Sequence, residues 1–177
     1  MPFTPLHMGP GLLIKAVAGP RFSVMTFGVA QIAMDIEPLI GMMHGSSMIH
    51  GPTHTYLAAL AIAAGVAAVA PALCRPALRR WHRELLRYRV NWLIASESFT
   101  PVATIAGAFT GTLSHVMFDS LMHADIVPLA PLSNANGLLG LISIDVLSQS
   151  CIFAGVFGLI GWVLGENWRN RSVARNR

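Results

Sequence analysis

Apolar residues dominate four stretches of this chain, and each is long enough to cross a bilayer as a helix. They run from about Phe22 to Met43, Thr53 to Cys74, Thr100 to Met122 and Leu138 to Val163. Ahead of the first, Gly11 to Ala18 is apolar but too short to cross, which predicts a re-entrant or interfacial helix ending at the Gly19-Pro20 break. Between the second and third, Pro76 to Trp92 interleaves arginines with Trp81, Leu85, Leu86, Tyr88 and Trp92. That pattern reads either as a helix lying on an anionic leaflet or as a solvated loop. Asp125 to Gly137, with Pro128, Pro131, Ser133, Asn134 and Asn136, predicts a loop or lid at one membrane surface. The expected fold is an all-α membrane protein. Residues 1–177 form one domain of about four transmembrane helices, with the short N-terminal helix and an Arg-rich cytoplasmic interfacial helix over 75–92.

Composition agrees: 54% of the 177 residues are hydrophobic, 11% are charged and the mean hydropathy is +0.57. The chain is basic, at net charge +4, which raises the question of nucleic acid. Its arginines, however, are confined to two blocks, Arg75 to Arg89 and Arg169 to Arg177, each following an apolar run. Cytoplasmic loops have that distribution under the positive-inside rule, and no nucleic-acid-reading module accompanies it. With both blocks inside, and Lys15 and Arg21 agreeing, both termini are expected to be cytoplasmic. The first and third spans then run outward. Cys74 and Cys151 fall in or beside spans and imply no disulfide framework. Met1 to Gly11 lacks the features of a cleaved signal, so the first span is expected to stay in the mature protein. The two halves share no motif, which weighs against an inverted-repeat transporter.

This topology, derived from arginines alone, gathers the other ionisable residues at one level. Asp35 and Glu37 fall in the outer half of the first span, and His44 and His50 in the following loop. His54 opens the second span; His115, Asp119 and His123 end the third; Asp145 stands near the start of the fourth. His115, Asp119 and His123 are spaced four apart and share one helix face. A buried carboxylate needs compensation, and a divalent metal would satisfy several of these groups together. Mixed His and carboxylate donors suit zinc best, with manganese or iron as alternatives. His44, in a Gly/Ser loop, reads as solvated, and His82, among the arginines, as surface.

Four segments carry a resemblance: Asp35-Ile36-Glu37, His50-Gly51-Pro52-Thr53-His54-Thr55, Leu113-Ser114-His115-Val116-Met117-Phe118-Asp119-Ser120 and Val127-Pro128-Leu129-Ala130-Pro131. In order and position they resemble the bacterial family of membrane-bound, metal-dependent hydrolases of the inner membrane. The resemblance runs from His7 to about Pro131 and implicates His7, Asp35, Glu37, His50, His54, His115 and Asp119. Met34, Glu37, Pro38 and Pro52 depart from the family pattern, and the Arg that usually precedes Gly51 is missing. The ligand order is also similar to that of zinc-dependent phospholipases C. That likeness implies Asp35, His54, His115 and Asp119 on one metal, with His7 and Asp119 on a second.

The resulting expectation is a metal-dependent hydrolase in a bacterial inner membrane. It would use water activated by one or two metal ions on a phosphoester-bearing lipid or related amphiphile at the outer leaflet, with Glu37 or Asp145 as general base or as orienter of an imidazole. No nucleophile-elbow motif is present, which favours water as the attacking group. The alternatives are a non-enzymatic protein that binds or moves metal ions and a purely structural polar network joining helices.

Overall fold

Helices make up all the regular structure in the computed structural model, which describes residues 4–46, 48–90 and 99–175. They are α1 (Thr4–Ala18), α2 (Val24–Met43), α3 (Tyr56–Arg87), α4 (Pro101–Met122) and α5 (Ile144–Arg175), with single 3-10 turns at Gly19–Arg21 and Pro52–His54. Hydroxyls set three of the starts. Ser23, Thr55 and Thr100 accept from the backbone N–H of Thr26, Ala58 and Ala103, satisfying a donor that the first helical turn leaves open. Thr55 is therefore the cap of α3, and Thr53 is left for another task.

Among the described residues, three helices are long and apolar enough to cross a membrane: α2, α3 and the Ile144–Glu166 part of α5. Their outward faces are apolar; on α5, Phe153, Val156, Phe157, Ile160 and Leu164 are all exposed. The third predicted stretch does fold as a helix, α4, which is not among these three. Twelve of its 22 residues are buried, against α2 and α3. A helix enclosed by other helices need not be apolar, and α4 uses that freedom to carry Thr, Ser, His and Asp.

A seam of small residues brings α4 close to α2. A Cβ on Gly107 would strike the Ser23 carbonyl and the Phe27 amide, and one on Gly111 would strike Ala30 and the Phe27 carbonyl. Such four-residue spacing of small side chains lets two backbones approach closely. The seam lies on the same i, i+4 line as the site: Ala103, Gly107 and Gly111 lead directly into His115, Asp119 and His123. Ala30, Ala63, Ala70 and Ala108, with Val66, close the contact among α2, α3 and α4.

Several expectations change. The Arg-rich stretch is not a separate interfacial helix: α3 continues through Pro71 and Pro76 to Arg87, with residues 91 and 92 outside the described part. Each proline removes one helical hydrogen bond, yet Ala, Leu, Arg and Glu around them favour helix strongly enough to carry it on. The 32 residues of α3 span about 48 Å, well beyond a hydrocarbon core of about 30 Å. Likewise α5 starts at Ile144, not Leu138, because 138–143 is a turn region in which Gly140 takes φ +72° and its N–H bonds to the Leu121 carbonyl. It then runs on to Arg175.

Helix α1 does not fold back on itself. Gly9 faces Cys151 and Gly155, Gly158 faces Leu12 and Leu13, and Gly161 faces Ala16, so α1 runs parallel to α5 in close contact. The described chain therefore begins at the end of the bundle where α4 finishes, and α5 finishes at the other. This departs from the expectation of both termini on one side. Lys15 is no loop cation either; it is buried, donates to the Phe22 carbonyl at 2.8 Å and lies over the Trp162 ring.

Gly111→Leu is expected to wedge α2 from α4 and lower stability by about 1–3 kcal/mol. Gly65→Leu, at a position with open space around it, is expected not to lower it. Thermal unfolding in detergent measures both, and equal behaviour of the two variants would remove the seam from the account.

Candidate metal centre

Four elements deliver imidazoles to one end of the bundle. His7 comes from the second turn of α1, His50 and His54 from the irregular link before α3, His115 from α4, and His123 from the residue that closes α4. At their centre is Asp119, only 1% exposed. Its Oδ2 lies 3.1 Å from His115 Nε2 and 3.5 Å from His54 Nε2, and its Oδ1 is 3.9 Å from His7 Nε2. Asp35, one turn beyond Gln31 on α2, brings a carboxylate oxygen to 3.4 Å from His115 Nε2. The His50 ring packs 4.8 Å from that of His54 and 4.3 Å from that of His123.

Three of the rings are gripped from behind. His115 Nδ1 lies 2.7 Å from Gln31 Oε1, and the amide can point only one way because its Nε2 donates to the Gly111 carbonyl and the Ser114 hydroxyl. Nδ1 of His115 is therefore the donor, which turns Nε2 toward Asp119. His50 Nδ1 donates to the Asp125 carboxylate at 3.0 Å, and that carboxylate also accepts from the Ile49 and His50 backbone N–H groups. His54 Nδ1 contacts the Thr53 hydroxyl at 3.2 Å, and Glu37 lies 3.8 Å from the same nitrogen. Glu37 itself accepts from both the backbone N–H and the hydroxyl of Thr53. A Cβ at Gly51 would meet the Glu37 carboxylate, so a larger residue there would have to push that side chain aside.

The inward atoms, by contrast, lack partners. His54 Nε2, His115 Nε2, His123 Nε2 and Asp119 Oδ1 are buried without a hydrogen bond, and so is Nδ1 of His7, the ring whose Nε2 faces Asp119. Each such atom costs roughly 1–3 kcal/mol if left unsatisfied. A single proton on His115 Nε2 would pair one ring with Asp119 and leave the others orphaned. A divalent cation would serve several together, and rings gripped at Nδ1 with Nε2 turned inward are the arrangement that metal-binding histidines adopt. Among the described residues, three groups of donors are close enough to hold a metal ion, each with its atoms within 4.8 Å of one another: His7, His115 and Asp119; His50, His54 and Asp119; His50, His123 and Asp125. The donor set fits a metal ion of the kind that binds nitrogen and oxygen.

Electrostatics outside the helices agrees. Burial pushes the Asp125 carboxyl up, but the His50 ring and the His50 and Ile49 amides outweigh it and hold it below the usual carboxylate range. Burial, reinforced by the neighbouring His50 ring, pushes His123 down.

The structure thus brings together His7, Asp35, His50, His54, His115, Asp119 and His123, with Glu37 behind His54. Asp145 is different: it is exposed on the first turn of α5 and belongs to none of the three groups. The late start of α5 is the reason, since the turn over 138–143 keeps that residue outside the bundle. His44 is exposed and bonds back to the Ile40 carbonyl, as a solvated loop histidine does. Two residues were missed. Gln31 was visible only as an amide in an apolar helix, four before Asp35; Asp125 was read as the first residue of a loop rather than as the partner of His50.

No family model, curated protein or solved structure matches this chain.

Gln31→Leu releases His115 while leaving every donor of the three groups in place; Asp125→Asn weakens the grip on His50 and also removes the carboxylate of the third group. Each is expected to weaken divalent-metal binding about 10–100-fold, as read by competition with a chromophoric chelator. Unchanged affinity in both would show that these grips serve packing alone.

Proposed function

We propose that this protein is a membrane-embedded, metal-dependent hydrolase that uses water to cleave a phosphoester-bearing lipid or related amphiphile. The observation that carries the reading is the pair of buried nitrogens His54 Nε2 and His115 Nε2, which face Asp119 without a hydrogen bond on rings contacted from behind at Nδ1. Purely structural polar networks in a bundle are satisfied internally, because orphaned groups there have no water to fall back on. This one is satisfied on its outer side and open on its inner side.

His54, His115 and Asp119 would hold the cation, with His7 or His50 completing the set; zinc is the best match to the donors, ahead of manganese or iron. Such an ion supplies a Lewis acid and brings the pKa of water toward neutrality. The chain's own groups do the rest. Gln31, Thr53 and Asp125 fix the tautomers, Glu37 holds the Thr53–His54 turn, and the packed helices limit access of bulk water. No hydroxyl among the described residues nearby is poised as a nucleophile. Ser114 and Ser120 donate back to α4 carbonyls, and Thr53 donates to Glu37. Water is accordingly the attacking group.

In this reading the helical extensions to Arg87 and Arg175 lie on the cytoplasmic side of a bacterial inner membrane and the site faces the outer leaflet. Both extensions leave the bundle at the end opposite the histidines, which supports that orientation.

Metal analysis of the purified protein tests the first half: bound zinc is expected near stoichiometric in the wild type and lost in Asp119→Ala and His54→Ala. Absence of metal from all three would sink the proposal. Phosphate or headgroup release from a panel of phospholipids tests the second half, with activity lost in the same variants. Metal bound without any hydrolysis, but with flux into sealed vesicles, would replace the enzyme with a transporter.

A further inference from the structure

One cavity touches the histidine cluster from the side. It has a volume of about 680 Å³ and is walled by α3, by the link that precedes it and by the loop that follows α4. The size is that of a pocket for a small-molecule ligand. On α3 the wall is Leu57, Ala58 and Ala61, which share one helix face. The two alanines leave a recess that larger side chains would fill. Opposite stand Val127, Ala130 and Pro131. The loop is tied to the helix beside the cavity, because the Tyr56 N–H donates to the Pro128 carbonyl at 2.9 Å.

The polarity of this space is one-directional. Its titratable groups, His50 and Asp125, both belong to the metal-binding groups described above. From Thr55 to Ala61 the wall descends about 9 Å along α3, and that wall is otherwise apolar. The descent is from the site end of the bundle toward its middle, within the most hydropathic of the three membrane-length helices. Leu57 is 65% exposed, so the groove is open to whatever medium surrounds α3. In a membrane that medium is hydrocarbon. An amphiphile in the leaflet has its headgroup at the surface and its chains toward the midplane, the same order in which the cavity passes from His50 to Ala61.

We propose that this groove takes one hydrocarbon chain of a bilayer lipid, entering sideways from the leaflet, so that the lipid's ester-linked headgroup is presented to His50 and the cluster behind it. The proposal rests on the membrane-hydrolase reading for its headgroup chemistry and on the cavity for its chain. It makes α3 and the 125–131 loop a specificity device that selects for a chain-bearing substrate over a water-soluble phosphoester.

The test uses the full-length protein in phosphatidylethanolamine vesicles doped with phosphatidylglycerol that carries a diazirine midway along one chain. After photolysis, peptide mass spectrometry is expected to find label on both walls, at Ala61 and at Val127, as well as on the outward residue Phe157. Ala61→Phe from the helix side and Val127→Trp from the loop side fill the groove independently. Each is expected to lower label on the opposite wall by roughly tenfold, equivalent to losing the burial of about two methylenes, with label at Phe157 unchanged. No label on the loop wall in the wild type, or undiminished label in both filled variants, overturns the proposal. The hydrolase reading fails separately. Groove labelling that persists while no phospholipid is cleaved keeps the chain site and removes the enzyme. Equal turnover of a short-chain, water-soluble phosphodiester and of the lipid, in wild type and filled variants alike, keeps the enzyme and removes the chain site.

Discussion

A carboxylate with almost no solvent exposure, Asp119, is the constraint around which this bundle is arranged. In low-polarity surroundings an isolated anion is too costly to keep, and the surrounding side chains answer that cost. His54 and His115 face it, His7 approaches from α1, and the next ring of residues, Gln31, Thr53 and Asp125, orients the imidazoles. The glycine seam of α4 exists on the same helical line. Without backbone-close contact to α2, the Gln31 amide could not reach His115 at 2.7 Å. Packing and polarity are therefore one design: the small residues toward the far end of α4 make possible the polar residues at its near end.

The hydrophobic pattern made much of this legible. Stretches longer than a bilayer is thick leave few alternatives to helix, and the direction set by the arginines was enough to gather the ionisable groups of α2, α3 and α4 at one end. The i, i+4 spacing of His115, Asp119 and His123 required no structure to read. What stayed hidden depends on contacts between elements distant in sequence. Asp125 differs from any loop aspartate only because the 49–50 backbone folds against it, 75 and 76 residues away. Gln31 acquires meaning only from its partner 84 residues on. Asp145 went wrong in the opposite direction: its sequence neighbourhood looks helical and apolar from Leu138, but a glycine turn delays the helix and leaves the acid outside.

The continuous helix from Tyr56 to Arg87 carries a similar lesson. Proline and a change of composition are fair signs of a boundary, yet neither is decisive in a helix whose other residues favour the same conformation. Composition separates the medium around a helix, apolar near Tyr56 and charged near Arg87, more reliably than it separates one helix from two.

The pairing of α1 with α5 joins the first described helix to the last described one. During synthesis His7 emerges long before the surface that anchors it, since the glycine contacts of α1 are with Cys151, Gly155 and Gly158. The central helices can assemble Asp119, His54 and His115 in the meantime, but the fifth helix must be made before the first is locked alongside. Synthesis of α5 and closure of the histidine cluster are thus coupled. A chain that stops short of α5 would carry every ligand in its sequence and still present an open-sided cluster.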